Sequence, residues 1–427
     1  MARSCYAPAG LVLELKTSLV PMPDTAHQQL RPLYRGTYVF GVACGISLAL
    51  TPLVLAGAGF SKEQMGTLAL FFAAGLVLFS LPAGKLLSRF GAKRVLSLAL
   101  AGYAVCVAVF PLMSDYWSIA TVRFFDGACS ICIWVGSETV VLARSDPKRK
   151  AHLTSLYAIW LACGYVTGPL LARLLAPLLS HLQLFWLAGA VGMAGVAYWS
   201  RHPLSTKSAT AQNAEQELVV ESADAGLPLG RLLWGIKTSC FAVFSYGYFQ
   251  AAVVLFLPLY LMESKGVPEQ DTIVLPGLFC LGMLLCSNWA GKRADRWGHL
   301  LVMTVLSGLG MTCVLGFVFV HNYLVMCGLV FSAGATLAAM SPIALALTGI
   351  VVPRGQLGRA NGLYNTFYAS GILFGPPAAS FVFARFGGAM MLFHLAALWA
   401  LFVAFALLFF ADDPAWRRRR VTISAER

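Results

Sequence analysis

Two short stretches of this sequence decide its fold. Gly84–Gly91 reads GKLLSRFG and Gly291–Gly298 reads GKRADRWG, so the two share their glycines and their basic residues 207 positions apart. Each directly follows an apolar run of the length that crosses a membrane as a helix, which takes about 20 residues. The two stretches are therefore predicted to be matching turns at a membrane surface, one in each of two repeated units.

A second pair of segments has the same offset. Tyr157, Gly164, Gly168 and Pro169 recur as Tyr364, Gly371, Gly375 and Pro376. Because two unrelated patterns share one spacing, the whole chain is predicted to be an internal duplication.

The composition agrees with a membrane protein. Hydrophobic residues make up 59% of the 427 residues and charged residues only 11%, whereas soluble domains carry about 25% charged residues. This balance excludes a soluble enzyme, a disordered scaffold and a collagen-like fibre. The predicted fold class is an all-α integral membrane protein with twelve transmembrane helices in two pseudo-symmetric six-helix bundles. The predicted spans are Thr37–Ala56, Met65–Ala83, Val95–Met113, Trp117–Ala143, Leu153–Ala176, Leu182–Ser200, Leu233–Met262, Thr272–Ala290, Leu300–Val320, Leu324–Val352, Asn361–Phe383 and Gly388–Ala411.

The basic residues predict the orientation. Most Lys and Arg fall in the two tails and in the loops on their side of the membrane, so both termini are expected in the cytoplasm and the chain in the cytoplasmic (inner) membrane of a bacterium. The opposite loops carry only Lys62, Arg173, Lys265 and Arg385. The predicted units are an N-terminal tail (1–36), a six-helix bundle (37–200), a cytoplasmic linker (201–232), a second bundle (233–411) and a basic tail (412–427).

The chain resembles the major facilitator superfamily along its whole length. The signature of that family is matched by Gly291, Asp295, Arg296 and Gly298, its helix-4 motif by the segment from Arg123 to Ser130, and its helix-5 motif by the Gly-x-x-x-Gly-Pro repeats. Ile133-Trp134-Val135-x-x-Glu138 resembles the uncharacterised bacterial YcaD-type branch. One departure is Ser88, which stands where the family usually has an acid, and this bears on gating in the first half.

The resemblance implies roles for these motifs. Helices 1, 4, 7 and 10 would line a central path, and helices 2, 5, 8 and 11 would form the interface between the halves. Asp295 would contact the start of helix 5 and a basic residue, with His152 and Arg354 as candidates. The implied gating residues are Gly84, Arg89, Gly91, Gly291, Asp295, Arg296 and Gly298. The implied helix-interface residues are Gly164, Gly168, Pro169, Gly371, Gly375 and Pro376, although small residues also simply let membrane helices pack closely.

The fourth span carries a polar stripe. Arg123, Asp126, Ser130, Trp134 and Glu138 fall within a sector of about 120° at 100° per residue. A charge at the bilayer centre costs about 2.5–3.5 kcal/mol on insertion scales, so such residues pair or face water. The stripe is interpreted as a path for substrate or protons. The alternatives are a structural ion-pair cluster, and a Glu138 that reaches to the membrane surface. Tyr248 and Gln250 of the seventh span are predicted to line the same path.

These features predict a secondary active transporter that moves a small solute by alternating access. No phosphate-binding loop is present in the sequence, so an ion gradient, most simply of protons, would drive transport as symport or antiport. The helix-5 resemblance favours efflux over uptake, although Arg173 and alanines replace later glycines of that motif. The alternatives are an uncoupled facilitator, a sensor with a transporter fold and a membrane-embedded enzyme. No metalloprotease or nucleophile-elbow motif is present, so the chain is predicted not to be an enzyme.

The expected partners are a small-molecule substrate, protons and the lipid bilayer. No cofactor or metal is expected, because Cys129 and Cys132 lie inside an apolar run without further ligands and a structural zinc needs four. The net charge of +13 reflects topology and not nucleic-acid binding. His394 is expected to be a packing residue, and the chain is expected to be a monomer.

Overall fold

A computed structural model describes residues 25–143, 150–202, 228–353 and 356–413. Twelve of its helices are long and apolar enough to cross a membrane, so the predicted twelve-span all-α fold is confirmed. The helices are α1 (Thr25–Gly57), α2 (Lys62–Phe90), α3 (Ala92–Val109), α4 (Tyr116–Ala143), α5 (Lys150–Leu175), α6 (His181–Arg201), α7 (Lys237–Lys265), α8 (Leu275–Trp297), α9 (His299–Phe319), α10 (Tyr323–Val351), α11 (Leu357–Phe386) and α12 (Gly388–Leu408).

The first helix begins earlier than predicted, at Thr25 instead of Thr37. Its early residues pack against the end of α6, where the Trp199 indole N–H donates to the Pro32 carbonyl oxygen at 3.1 Å and Leu33 is fully buried. Part of the predicted N-terminal tail is therefore helix. The rest of that tail (1–24), most of the linker (203–227) and the C-terminal tail (414–427) lie outside the described residues.

Two further differences concern the second half. A short helix, Leu229–Gly235, precedes α7 within the region predicted to be linker and the start of the seventh span. The tenth span is interrupted between Leu337 and Met340, so α10 consists of two helical pieces. Periodicity of apolar residues does not report such a break, because both pieces are hydrophobic throughout.

The helices pair in the same pattern in both halves. In the first, α1 packs on α5, α2 on α4 and α3 on α6; in the second, α7 packs on α11, α8 on α10 and α9 on α12. The main contacts between the halves are α2 with α11 and α5 with α8. These two contacts are equivalent, because α2 and α5 of the first half correspond to α8 and α11 of the second. The repeat read from the sequence is thus also a repeat of tertiary structure.

The two membrane faces of the bundle differ in how the halves meet. We call the face where α1 begins and α12 ends the tail face, and the other the opposite face. At the opposite face three ion pairs join the halves: Lys62 with Glu263 at 2.9 Å, Arg173 with Asp271 at 2.6 Å and His181 with Glu269 at 2.9 Å. At the tail face, no ion pair or hydrogen bond joins the halves among the described residues. Among the described residues, ion pairs between the halves are therefore found at the opposite face.

Candidate substrate and proton path

Close packing of α4 on α2 fixes the polar stripe. A Cβ added at Gly127 would overlap the carbonyl oxygen of Phe72, and one added at Gly75 would overlap the carbonyl oxygen of Phe124. Only glycine allows two helix backbones to approach this closely. The reciprocal contact holds α4 in one rotational setting and so decides which way Arg123 and its neighbours point.

Arg123 and Asp126 form a buried pair. The guanidinium donates to the Asp126 carboxylate and lies over the ring of Phe72, with 4.4 Å from the Arg123 Cζ to the ring centroid. The hydroxyl of Ser130 is 3.5 Å from the other carboxylate oxygen. Asp126 is only 5% exposed. The pair thus lies inside the first half, surrounded by its helices.

Glu138 is separate from this pair. It lies fifteen residues from Arg123, or about 22 Å along the helix at 1.5 Å per residue. Its side chain is exposed and makes no hydrogen bond or ion pair with any residue that the structure describes. Trp134 lies one turn away on the same face, and its indole N–H is buried without a partner.

The helical period indicates the side of α4 on which Glu138 lies. The neighbours of α4 that also contact the second half are α1, α2 and α5. Gly127 turns toward α2, and Ser137 turns toward Tyr157 of α5. With Arg123 set at zero, these residues lie at about 40° and 320°, and Glu138 at about 60°. At about 60°, Glu138 lies just outside the sector between these two directions, on the side of α2, and its side chain is exposed.

Tyr248 and Gln250 of the seventh span both have hydrogen-bond partners within the second half. It is buried, and its hydroxyl lies 2.8 Å from Nε2 of His394 on α12, so it points into the second half. Gln250 accepts a hydrogen bond from the Tyr368 hydroxyl at 2.9 Å, also within that half. The sequence correctly grouped these residues as polar and intramembrane, but helical period alone does not say which neighbour a side chain turns toward.

The signature loops end their helices in the same way. Gly91 has φ +80° and its N–H bonds to the Leu87 carbonyl at 3.0 Å; Gly298 has φ +112° and bonds to the Ala294 carbonyl at 2.9 Å. A positive φ strongly favours glycine. Gly84 and Gly291 lie one and a half to two turns earlier, within α2 and α8. Both predicted gating loops are therefore sharp helix-to-helix turns at the tail face.

Arg89, Asp295 and Arg296 of these loops are exposed. Arg89 and Arg296 have no ionic partner among the described residues, and the Asp295 side chain is 71% exposed. The only ionic neighbour of Asp295 in the described chain is His299, at 3.5 Å one turn later. Its predicted partners, the His152 side chain and Arg354, lie outside the described residues, so that gating contact stays a prediction.

The glycines and the prolines of the helix-5 motifs make different contacts: the glycines pack within one half, and the prolines lie between the halves. A Cβ at Gly164 would lie 2.7 Å from the Gly41 Cα of α1, so this motif packs inside the first half, as Gly168 also does against α1. In the second half Gly371 and Gly375 pack equally tightly on α7. The prolines lie between the halves. A Cβ at Gly277 of α8 would meet Pro169, and one at Gly66 of α2 would meet the Pro376 carbonyl.

Sequence reasoning missed several contacts. The ion pairs at the opposite face were not predicted, although Lys62 and Arg173 had been singled out as rare cations on that side. The sequence did contain a signal for these pairs, because acidic residues of the second half are predicted to lie at the same membrane face as these cations. Tyr157 was read only as a repeat marker, yet its buried hydroxyl lies beside Ser137 and close to Glu138.

Comparison with known proteins identifies the class. The sequence model of the Major Facilitator Superfamily matches residues 36–323 and 240–425, and the chain belongs to this superfamily of membrane transporters. An uncharacterised MFS-type transporter of Enterobacter sp. (strain 638) is 26% identical over 384 residues, covering 89% of this chain and 95% of the relative. The uncharacterised MFS-type transporter YcaD of Escherichia coli O139:H28 is 26% identical over 369 residues, covering 86% and 92%.

Solved structures share the fold. The nucleoside transporter NupG superposes with a TM-score of 0.70 at 13% identity, covering 90% of this chain and 98% of that one. A bacterial homologue of the human lysosomal transporter Spinster, in an inward-facing and occupied conformation, gives 0.71 at 13% identity, covering 92% and 99%. At this identity the likeness concerns the fold alone. The class of protein is thus a multi-pass membrane transporter of the Major Facilitator Superfamily, similar to the YcaD-type transporters.

Proposed function

We propose that this protein is a proton-coupled secondary transporter of a small solute, in which the two halves rock about a path that includes Arg123, Asp126 and Glu138. Alternating access between repeated halves is the way in which such folds move solutes. A carboxyl group in a low-dielectric site can take up and release protons near neutrality, which would couple the rocking to a proton gradient.

One observation carries this proposal. The positions that correspond to Arg123, Asp126 and Ser130 in the second half, 207 residues later, are Val330, Ala333 and Leu337. These are buried like Asp126, with Ala333 7% exposed, and the helices around them pack through equivalent glycines. Apolar residues therefore suffice for the packing, and the charges in the first half need another reason. Coupling to protons or substrate is that reason.

The ion pairs at the opposite face support the rocking motion. They link the halves where α2, α5 and α6 of the first half meet α7 and the 269–272 helix of the second. The motion would break them to open that face, while the tail face closes around the signature loops. With the tail face in the cytoplasm, we propose that the conformation with these ion pairs formed is the inward-facing one. The direction is proposed to be efflux, in exchange for protons.

Transport is tested with purified protein in liposomes that contain a pH-sensitive dye. A panel of amino acids, nucleosides, organic acids and organic cations is added under an imposed pH gradient. We expect at least one compound class to move protons with the wild type and not with Asp126→Asn, which keeps the size of the side chain but removes its titratable group. The variant should still exchange labelled solute without a gradient. Full proton movement by both Asp126→Asn and Glu138→Gln would show that these acids are structural.

The orientation is tested by labelling single cysteines in a Cys-free background. His321 is exposed at the opposite face and Arg231 at the tail face. A membrane-impermeant maleimide should label His321→Cys in intact cells, and Arg231→Cys only after the cells are permeabilised. The reverse pattern would put the tail face outside.

A further inference from the structure

The second half carries a basic and aromatic group of residues at the tail-face end of α8, which we call the Arg293 cluster. It consists of Arg293, with Trp289 one turn before it and Trp297 one turn after it. The guanidinium lies between the two indole rings, with its Cζ 4.7 Å from the ring centroid of Trp289 and 4.6 Å from that of Trp297. Cation–π contacts with both rings hold the side chain, so its position on the helix surface is fixed by its neighbours.

The positive charge of Arg293 has no acidic partner. Its guanidinium makes no hydrogen bond or ion pair with any described residue, and a ring does not replace the oxygen acceptors that its five N–H donors can bind. Lys292 and Arg296 are exposed and lie about 100° and 60° from it around the helix. Asp295, the one acid of α8, lies about 160° away on the far side. Three positive charges therefore share one side of this helix end.

The surface on the membrane side of the cluster is apolar. Trp289 is 56% exposed, and Leu285, one turn deeper in the membrane, is 62% exposed. The two lie within about 40° of each other around the helix. Exposed apolar surface of this kind contacts lipid chains, and tryptophan at the end of a span marks the level of the headgroups. Arg293 therefore lies where the acyl chains and headgroups of the tail-face leaflet meet.

The first half shows that the fold does not require this cluster. At the offset of 207, its three residues correspond to Pro82, Leu86 and Phe90. Both copies of the turn nevertheless end their helices in the same way, at Gly91 and Gly298. The cluster is thus an addition to one copy of the repeat and needs a reason other than the turn itself.

We infer that the Arg293 cluster binds the headgroup phosphate of an anionic phospholipid. Arginine forms paired, charge-assisted hydrogen bonds with phosphate oxygens, and basic residues beside transmembrane helices recognise anionic headgroups. Lys292 and Arg296 add attraction for a net negative charge, while an acyl chain lies along Trp289 and Leu285. A zwitterionic headgroup would bring a further cation to three that are already present, so the site favours a lipid with net negative charge. This inference does not depend on the proposed proton coupling.

Native mass spectrometry of the delipidated protein in detergent measures this binding directly. Phosphatidylglycerol is the probe, and phosphatidylethanolamine with the same acyl chains is the zwitterionic control. We expect Arg293→Gln to weaken phosphatidylglycerol binding by at least about tenfold and to leave any phosphatidylethanolamine binding unchanged. Arg94→Gln removes an exposed cation of the tail face in the first half and should bind phosphatidylglycerol like the wild type. Equal effects of the two variants, or equal binding of the two lipids by the wild type, would overturn the inference.

A second measurement needs no variant. Phosphatidylglycerol with a photoactivatable diazirine in its acyl chain is added to the wild-type protein in detergent, and mass spectrometry locates the crosslinks. We expect crosslinks at residues 285–289 of α8 that excess phosphatidylglycerol removes and excess phosphatidylethanolamine does not. Glycerol 1-phosphate, which has the phosphate without the acyl chains, should not compete. Competition by glycerol 1-phosphate at the same concentration would assign the site to a soluble anion, and the absence of crosslinks in α8 would contradict the inference outright.

Discussion

The contact of α2 with α4 and the contact of α8 with α10 have the same backbone packing and opposite chemistry. Gly75 and Gly127 make the first contact, and Gly282 and Gly334 make the second, each with its Cα against a phenylalanine carbonyl of the partner helix. All these positions correspond at the offset of 207. The first contact carries Arg123 and Asp126, and the second carries only apolar side chains.

The difference separates what folding needs from what function needs. Two copies of one packing arrangement fold with and without charges, so the packing is provided by the glycines and the phenylalanines. The charged pair is an addition to one copy. A buried ion pair is weak evidence for stability, because apolar residues of similar volume often replace it without loss. In this protein the second half is a natural example of that replacement.

Breaking the shared packing should have the largest effect. Gly127→Ala and Gly334→Ala each place a methyl group on a backbone carbonyl that cannot move aside like a flexible side chain. We expect each to lower the free energy of unfolding by about 4 kcal/mol, above the usual range for overpacking, and by similar amounts in the two halves. Thermal unfolding in detergent measures this. Gly328→Ala, where an added Cβ meets nothing within 4 Å, is the matched control and should change stability by less than about 1 kcal/mol.

Moving the charge into the second half should have the next largest effect. Ala333→Asp buries an unpaired carboxylate where the structure offers no cation, at a cost of about 2.5–3.5 kcal/mol on insertion scales. Adding Val330→Arg recreates the spacing of Arg123 and Asp126, so the double variant should recover part of the lost stability. The readout is again the unfolding temperature. A double variant no more stable than Ala333→Asp alone would mean that the first half supplies more than the pair itself.

Removing the pair from the first half should leave folding nearly intact. Arg123→Val with Asp126→Ala gives α4 the residues of α10, and we expect stability within about 1 kcal/mol of the wild type. Arg123→Ala alone should be worse, because it leaves Asp126 buried and unpaired. Proton-coupled transport should be absent from both variants. Strong destabilisation of the double variant would assign the pair a structural role.

The smallest effect concerns the helix starts. Asp115 caps α4 through the Ser118 hydroxyl and backbone N–H, and the equivalent Asn322 caps α10 through the N–H groups of Leu324 and Val325. The hydrogen bonds from Ser118 lower the pKa of Asp115 below its ordinary value. Its contribution is therefore complete above the ordinary pKa of about 3.9 and is lost as the pH falls through the lower folded value.

Substitution of the caps tests this difference. Asp115→Asn should remove the part of the acid sensitivity that comes from this cap, because the amide oxygen still accepts the N–H but does not titrate. Asn322→Ala should cost about 1 kcal/mol at every pH. Unfolding temperatures between about pH 3 and 7 measure both, spanning the titration range of a carboxyl group. An acid limb unchanged by Asp115→Asn would place the sensitivity elsewhere.

The sequence by itself determined the twelve spans, the repeat and the residue types at each repeated position. Span length and hydropathy follow from the thickness of the bilayer, and the offset of 207 aligns Gly127 with Gly334 without any structure. It also isolated the charged stripe of α4, because charges within an apolar run are conspicuous. Span length, hydropathy and the charged stripe can each be read from a single segment of the chain, and the repeat from the spacing of similar segments.

Only the tertiary structure decided which of these residues meet. Asp126 pairs with Arg123 inside the first half, whereas Glu138 of the same stripe is exposed and makes no ion pair or hydrogen bond with any described residue. The Tyr248 hydroxyl lies against Nε2 of His394, 146 residues later in the chain. Lys62 and Glu263 join across the halves although 201 residues separate them. The period of a helix gives the face on which a side chain lies, but its partner depends on the neighbouring helix, which is set by packing between segments far apart in the chain.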